Sequence, residues 1–242
     1  MAEGGTTQAL ILAGGAGTRL RPVLTELNKP MAPVADRPFL EYLLLQLKKH
    51  GVEAVTLCVG YKADLIQSYF GTGEPWGLRL SYSHETDFLG TGGAIKRAES
   101  LIQAECFFVL NGDSLFDSDL RTLMRCHRET NALATLALAY VEDTRRYGAV
   151  GVDAAGRVVS FVEKGKGHAQ GLINAGVYVF SRELLDLIPD RQAVSLEHDI
   201  LPRLIGRGLY GLPSHGYFVD IGVPDDYLGL RSNPSHLLSA VE

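Results

Sequence analysis

A chain of 242 residues with 46% hydrophobic and 21% charged side chains is long enough for one substantial core and reads as a single globular domain. Its formal net charge of −5 excludes the basic surface that nucleic-acid binding needs. No apolar run reaches the roughly 18 residues of a membrane span, so neither nucleic acid nor membrane is an expected partner.

No signal peptide precedes Met1-Ala-Glu-Gly-Gly, and a cytoplasmic location is expected. Residues 1–7 read as a disordered small-residue tail and residues 8–242 as one domain. Residues 9–13 are an apolar run stopped by glycine, the pattern of a buried strand ending in a loop. In that loop Gly14, Gly15 and Gly17 remove three Cβ atoms, which lets backbone N–H groups close on a ligand. With Arg19 and Lys29 beside them, such N–H groups make an anion site suited to a triphosphate. No Gly-Lys-Ser/Thr follows Gly14 at the spacing of a P-loop, and Gly15-Ala-Gly17-Thr-Arg-Leu20 has leucine where the dinucleotide fingerprint needs glycine.

Pro38 opens the next element, a helix with Asp36 as candidate cap. Leu40, Leu43, Leu44 and Leu47 fall on one face of it, and Gly51 ends it. Strands are predicted over 54–59, 78–83 and 106–110, with helices over 63–70 and 91–102 between them. This alternation predicts an α/β, Rossmann-like, mostly parallel sheet with helices on both faces. The second half changes character, with strands over 132–141, 148–152, 158–163 and 173–180 and short helices over 184–188, 198–205 and 225–230. Those strands read as antiparallel additions on one side of a cleft. The nucleotide half is about 8–130 and the other half about 131–242. Cys58, Cys106 and Cys126 lack metal-site spacing and read as buried thiols.

Asn111-Gly-Asp113 follows the apolar run Phe107-Phe-Val-Leu110, so Asp113 falls at the carboxyl end of a parallel strand, where open α/β sheets bind ligands. Asp220 follows another short run, Tyr217-Phe-Val. Each aspartate alone also reads as a turn former. Together, beyond two different strands, they are what a Mg²⁺ site shared with substrate phosphates requires. His50, His127 and His236 lie in helical or tail contexts and are poor catalytic candidates.

The segment Leu12-Ala-Gly-Gly-Ala-Gly-Thr-Arg-Leu-Arg-Pro22, continued by Lys29-Pro30, resembles the sugar nucleotidyltransferases, also called nucleoside-diphosphate-sugar pyrophosphorylases. Asn28 stands where many relatives have proline. The resemblance spans nearly the whole chain and implies the nucleotide-diphospho-sugar transferase fold. It also implies transfer of a nucleotidyl group from an NTP to a sugar 1-phosphate, with pyrophosphate released. It carries the nucleotide over to Leu12, Ala13, Gly14, Gly15, Gly17, Thr18 and Arg19, and the metal to Asp113 and Asp220. Arg19 and Lys29 are expected to stabilise charge on the transferring and leaving phosphates.

Phe161-Val-Glu163-Lys164-Gly165 resembles the family's Glu-Lys element, which implies that Lys164 holds the sugar phosphate and Glu163 the sugar hydroxyls; many relatives have proline at the position of Gly165. Leu172-Ile-Asn174-Ala-Gly176 resembles the next sugar element, with Asn174 on the sugar, and Tyr147-Gly148 matches a further sugar-side position. His84-Glu85-Thr-Asp87-Phe-Leu-Gly90-Thr91 resembles the base-binding segment, with Glu85 at the base edge and Gly90 and Thr91 against the nucleoside. A carboxylate offers two acceptors and guanine two adjacent donors, so Glu85 favours GTP; the alternative is a solvated Glu85 with backbone groups reading the base. Lys29-Pro-Met-Ala-Pro33 and Leu89-Gly-Thr-Gly-Gly-Ala-Ile-Lys96 are most similar to the D-glycero-α-D-manno-heptose 1-phosphate guanylyltransferase subfamily. Mannose 1-phosphate guanylyltransferases are the near rival, with uridylyl- and adenylyltransferases further off. A non-catalytic sugar-nucleotide sensor should have lost one of Arg19, Lys29, Asp113 or Asp220, and all four are present. A homo-oligomer is compatible with the sequence.

Overall fold

The computed structural model describes residues 7–20, 23–24, 27–162 and 170–241. Seven strands form the central sheet: β1 (Gln8–Leu12), β2 (Ala54–Val59), β3 (Arg79–His84), β4 (Cys106–Asn111), β5 (Ala134–Val141), β6 (Gly171–Ser181) and β7 (Leu209–Ser214). Their order across the sheet is β7-β5-β6-β4-β1-β2-β3. β1 pairs in parallel with both β2 and β4, and β2 in parallel with β3. β6 runs against both β4 and β5, while β7 is again parallel to β5. The expectation of several antiparallel strands in the second half therefore resolves into one reversed sheet strand, β6. The segments Ala149–Val152 and Val158–Val162 form a separate antiparallel ribbon.

Alternation along β1 supplies both layers. Ala9 and Ile11 join a core on one face of the sheet and Leu10 joins a second core on the other, as side chains in a strand point to opposite faces. The first core receives α1 (Phe39–Lys49), whose predicted leucine stripe is fully buried. It also receives Ile66 and Phe70 of α2 (Ala63–Phe70). The second core receives Ala94 and Ile95 of α3 (Gly90–Arg97) and the short turns over 182–204. The helix expected over 91–102 thus starts one residue earlier and ends at Arg97, followed by a separate 3₁₀ turn at Glu99–Leu101.

Three expectations are corrected. Asp36 does not cap α1: its carboxylate accepts from Arg37 Nε at 3.3 Å, and Pro38 occupies the cap position without a side-chain bond. Cys58 is buried, but Cys106 and Cys126 are half-buried. Thr7, counted with the tail, has its carbonyl bonded to the amides of Glu53 and Ala54; residues 1–6 lie outside the described residues. Three of the longer elements were not anticipated. Helix α4 (Leu120–Glu129) buries only Leu120, Leu123 and His127, too thin a stripe to stand out. Its cap is Asp119, which accepts from Arg121 N–H at 3.0 Å. Strand β7 contains Gly211 and Pro213, which an edge strand tolerates. The chain closes with α5 (Pro224–Ser232) and α6 (Ser235–Val241), the latter read only as tail.

Candidate active site

The chain runs from β1 outward to β2 and β3, then returns to place β4 on the other side of β1. That reversal opens a crevice at the carboxyl ends of β1 and β4, the position where open α/β sheets bind ligands. Leu12 pairs with both Asn111 and Cys58, and the Gly112 amide donates to the Leu12 carbonyl at 3.0 Å. The glycine loop and the Asn111-Gly-Asp113 turn therefore leave the sheet side by side. Between them and the Glu85–Thr91 segment lies a cleft of about 320 Å³. Leu12, Ala13, Gly14, Gly15, Gly17, Arg19, Lys29, Glu85, Gly90, Thr91, Asp113 and Asp220 all line it. Thr18 opens the 3₁₀ turn Thr18–Leu20, which swings Arg19 outward while Leu20 is buried.

The charged groups converge through long-range pairing. Ser114–Phe116 and Phe218–Asp220 form a two-stranded antiparallel ribbon in which Asp220 lies opposite Ser114. The Ile221 amide donates to the Asp113 carbonyl at 2.9 Å. This ladder brings two carboxylates 107 positions apart in sequence to one wall of the cleft. Lys29, only 9% exposed, sits in a short turn and extends Nζ to within 3.0 Å of Asp113 Oδ2. Its turn is tied down by Asn28, whose Nδ2 donates to the Tyr61 carbonyl at 3.0 Å. Gly17 has φ +58°, and a Cβ there would lie 2.8 Å from the Lys29 side chain; glycine is required on both counts.

The opposite end is closed by Glu85. A Cβ on Gly14 would lie 2.5 Å from Glu85 Oε1 and 3.3 Å from the Gly60 nitrogen, so the carboxylate lies directly against the glycine loop. Glu85 Oε2 accepts from the Leu89 N–H at 3.4 Å. Burial raises the Glu85 carboxyl above its ordinary range, opposed by that hydrogen bond and by Arg97. Neighbouring Cys58 is fully buried, and burial, followed by the Glu85 charge, holds its thiol far above the range of a reactive cysteine. Thr91 reaches the cleft wall, but its hydroxyl donates to Glu197 Oε2 at 3.0 Å and accepts from Leu196 N–H at 2.7 Å.

Of the residues expected on the sugar side, Asn174, Tyr147 and Gly148 are not among those that line this cleft. Asn174 sits where the β5–β6 register shifts; its Oδ1 accepts from Gly176 N–H at 3.1 Å and its Nδ2 donates to Tyr178 Oη at 2.8 Å. An amide has four hydrogen-bonding positions, which leaves one N–H and one lone pair for a ligand. Tyr147 packs edge-to-face on Phe218 with ring centroids 5.4 Å apart, two residues from Asp220, and the Gly148 amide donates to the Thr144 carbonyl at 2.9 Å. Glu163 and Lys164 lie outside the described residues.

The profile of the nucleotidyl transferase family matches residues 8–234. The chain belongs to that family. It is 41% identical over 232 residues to the D-glycero-alpha-D-manno-heptose 1-phosphate guanylyltransferase of Aneurinibacillus thermoaerophilus, covering 96% of this chain and 100% of that protein. It is 40% identical over 223 residues to the mannose-1-phosphate guanylyltransferase of Mycobacterium tuberculosis (strain ATCC 25618 / H37Rv), covering 91% of this chain and 62% of that protein. A crystal structure of HddC from Yersinia pseudotuberculosis complexed with GMP-PN superposes with a TM-score of 0.84 at 33% identity, covering 95% of this chain and 100% of that one.

Among the described residues of this nucleotidyl transferase, no group of three or more His, Cys, Asp or Glu side chains could hold a metal alone. A Mg²⁺ shared with substrate takes one or two carboxylates and leaves its other positions to phosphate and water. Asp113 and Asp220, both hard oxygen donors on the cleft wall, are a suitable pair. No helix among the described residues is long and apolar enough to cross a membrane. The cleft also takes Pro30, Phe88, Ala94, Asn111 and Gly112, which sequence reasoning missed. The strand-end position of Asn111 and Gly112 was a usable signal; Phe88 carried none beyond its place in a glycine-rich segment.

Proposed function

We propose that this nucleotidyl transferase transfers GMP from GTP to D-glycero-α-D-manno-heptose 1-phosphate, giving the GDP-sugar and pyrophosphate. The observation that carries the chemistry is the meeting of Lys29, Asp113 and Asp220 on one wall of a cleft whose other wall is a glycine loop. The full-length similarity to a heptose 1-phosphate guanylyltransferase supports the substrate, and the HddC structure complexed with GMP-PN supports the nucleotide. Residues 8–242 act as one catalytic domain, with nucleotide residues mainly in 8–130 and sugar residues in 131–242, in a cytoplasmic protein.

In this reading a sugar-phosphate oxygen attacks the α-phosphorus of GTP in line with the bond to the bridging oxygen. That bond breaks and pyrophosphate leaves. The phosphate monoester is already an anion, so no general base and no covalent intermediate are needed. Catalysis comes from positioning and charge stabilisation. The N–H groups of Gly14–Gly17 with Arg19 hold the triphosphate, Lys29 stabilises negative charge on the transferring and leaving phosphates, and Lys164 orients the attacking phosphate. Asp113 and Asp220 would hold the metal. Mg²⁺ supplies Lewis-acid neutralisation of phosphate charge. Glu85 accepts from guanine N1–H and the 2-amino group. Glu163, Asn174, Tyr147 and Gly148 contact the sugar.

The test is a matrix of GTP, ATP, UTP and dTTP against heptose, mannose and glucose 1-phosphates, read by pyrophosphate release. Fastest turnover with GTP and the heptose phosphate is the expected result. A preference for mannose 1-phosphate is the second reading, favoured by the 40% identity to the mycobacterial enzyme.

A further inference from the structure

Of the nine phenylalanines, eight are buried or half-buried; Phe88 alone is exposed, at 80%. A lone exposed apolar side chain is ordinary. This one, however, lies on the rim of the cleft that also contains Glu85, Gly14 and Gly15. The segment that carries it is anchored at both ends: the Glu85 amide donates to the Val59 carbonyl at 2.8 Å, and the Leu89 carbonyl accepts from the Val194 amide at 2.8 Å. In the same cleft, the space beside Gly15 is open, with no heavy atom within 4 Å of where a Cβ would stand. The cleft end therefore has a carboxylate at its back, bare backbone on one side and an unpartnered aromatic ring at its edge.

A planar base edge-on to Glu85 has two faces to cover, and hydrogen bonds to its edge cover neither. Stacking on an aromatic ring covers a face, and it is worth more for the larger surface of a purine. We propose that the Phe88 ring packs on the face of the bound base and is a specificity-determining residue for purine over pyrimidine nucleotides, while Glu85 distinguishes guanine at the edge. This rests on the reading that the NTP base occupies this end of the cleft. Binding covers the otherwise solvated ring, which accounts for the exposure of this phenylalanine alone.

The test uses the full chain with Phe88→Ala and, in a Trp76→Phe background, Phe88→Trp. Phe88→Ala should raise the KM for GTP and for ITP by the same factor, about tenfold from loss of one stacked aromatic, with kcat little changed and the KM for UTP affected less. Equal losses for GTP and ITP separate stacking from edge recognition, which distinguishes those two nucleotides. Phe88→Trp should keep the wild-type KM, and its emission should be quenched by GTP but not by inorganic triphosphate. Unchanged KM for every nucleotide in Phe88→Ala, or emission indifferent to GTP, overturns the proposal. So does a change in sedimentation with nucleotide kinetics intact, which would make the ring a contact between copies of the chain. If the wild type prefers another base, the guanine reading fails by itself; stacking is then judged by whether Phe88→Ala raises the KM of the preferred nucleotide.

Discussion

Lys29 Nζ lies 3.0 Å from Asp113 Oδ2, joining two turns 84 residues apart. One is a proposed phosphate ligand and the other a proposed metal ligand, so in the free protein each holds the other in position. Asp113→Asn should leave the fold nearly unchanged and reduce turnover by about a hundredfold or more, the scale of losing one electrostatic stabiliser. Lys29→Met should do likewise. Because the two groups act together, the double variant should lose much less than the product of the single losses. Wild-type-like rates for Asp113→Asn with saturating Mg²⁺ would remove it from the metal site.

Gly14→Ala should act on the base end of the cleft. The new methyl would meet Glu85 Oε1 at 2.5 Å, and a flexible side-chain end yields more readily than backbone. Displacement of the carboxylate should raise the KM for GTP and narrow the gap between GTP and UTP. In a Glu85→Gln background the same substitution should add little. Steady-state kinetics of the four proteins check this, and independent losses would separate Gly14 from base recognition.

Glu85→Gln exchanges one acceptor for a donor that would face a donor of guanine. The wild type should use GTP better than ITP by about ten- to a hundredfold in kcat/KM, as expected for one charge-assisted hydrogen bond. The variant should lose GTP activity and most of that gap, since unpaired polar edges are costly on both partners. Equal use of GTP and ITP by the wild type would remove Glu85 from base recognition.

Lys164→Ala should weaken handling of the sugar 1-phosphate and leave NTP affinity nearly unaltered. Titrating each substrate separately tests the assignment. A loss confined to NTP affinity would put Lys164 on the wrong substrate.

His127 sets a pH limit on stability rather than on catalysis. The ring is 1% exposed, with Nδ1 2.9 Å from Thr135 Oγ1 and Nε2 3.0 Å from Ser181 Oγ. Ser181 donates its own proton to the Ala132 carbonyl, so it accepts from Nε2–H. Burial first, and then Arg128, pushes its pKa down from 6.5 to about 4. The unfolded chain therefore binds this proton more readily than the folded one, and stability present above pH 6.5 falls as pH drops toward 4. Between pH 7 and pH 5 the loss from this group is about 2 kcal/mol. Urea unfolding of the wild type and His127→Gln at both values should show a steeper pH dependence in the wild type; parallel dependences would assign the loss elsewhere.

What was legible in the chain was local. Ala9–Ala13 followed by Gly14, Gly15 and Gly17 is a contiguous phrase, and its strand and its loop follow from period and from missing Cβ atoms. The leucine stripe of α1 is legible for the same reason, since each burial lies within a turn or two of the next. Pairing between distant segments is not written in any short window. The position of Asp220 beside Asp113 follows from a three-residue ribbon whose strands are a hundred positions apart. The reversed direction of β6 depends on which neighbours it meets, and the Asn174 side chain is partly engaged within the bulge of that strand. β7 is recognisable only once β5 offers it an edge, because Gly211 and Pro213 read locally as turn residues. The exposure of Phe88 is not legible between Glu85 and Thr91 because exposure is a property of the folded surface, decided by the cleft that closes around its neighbours.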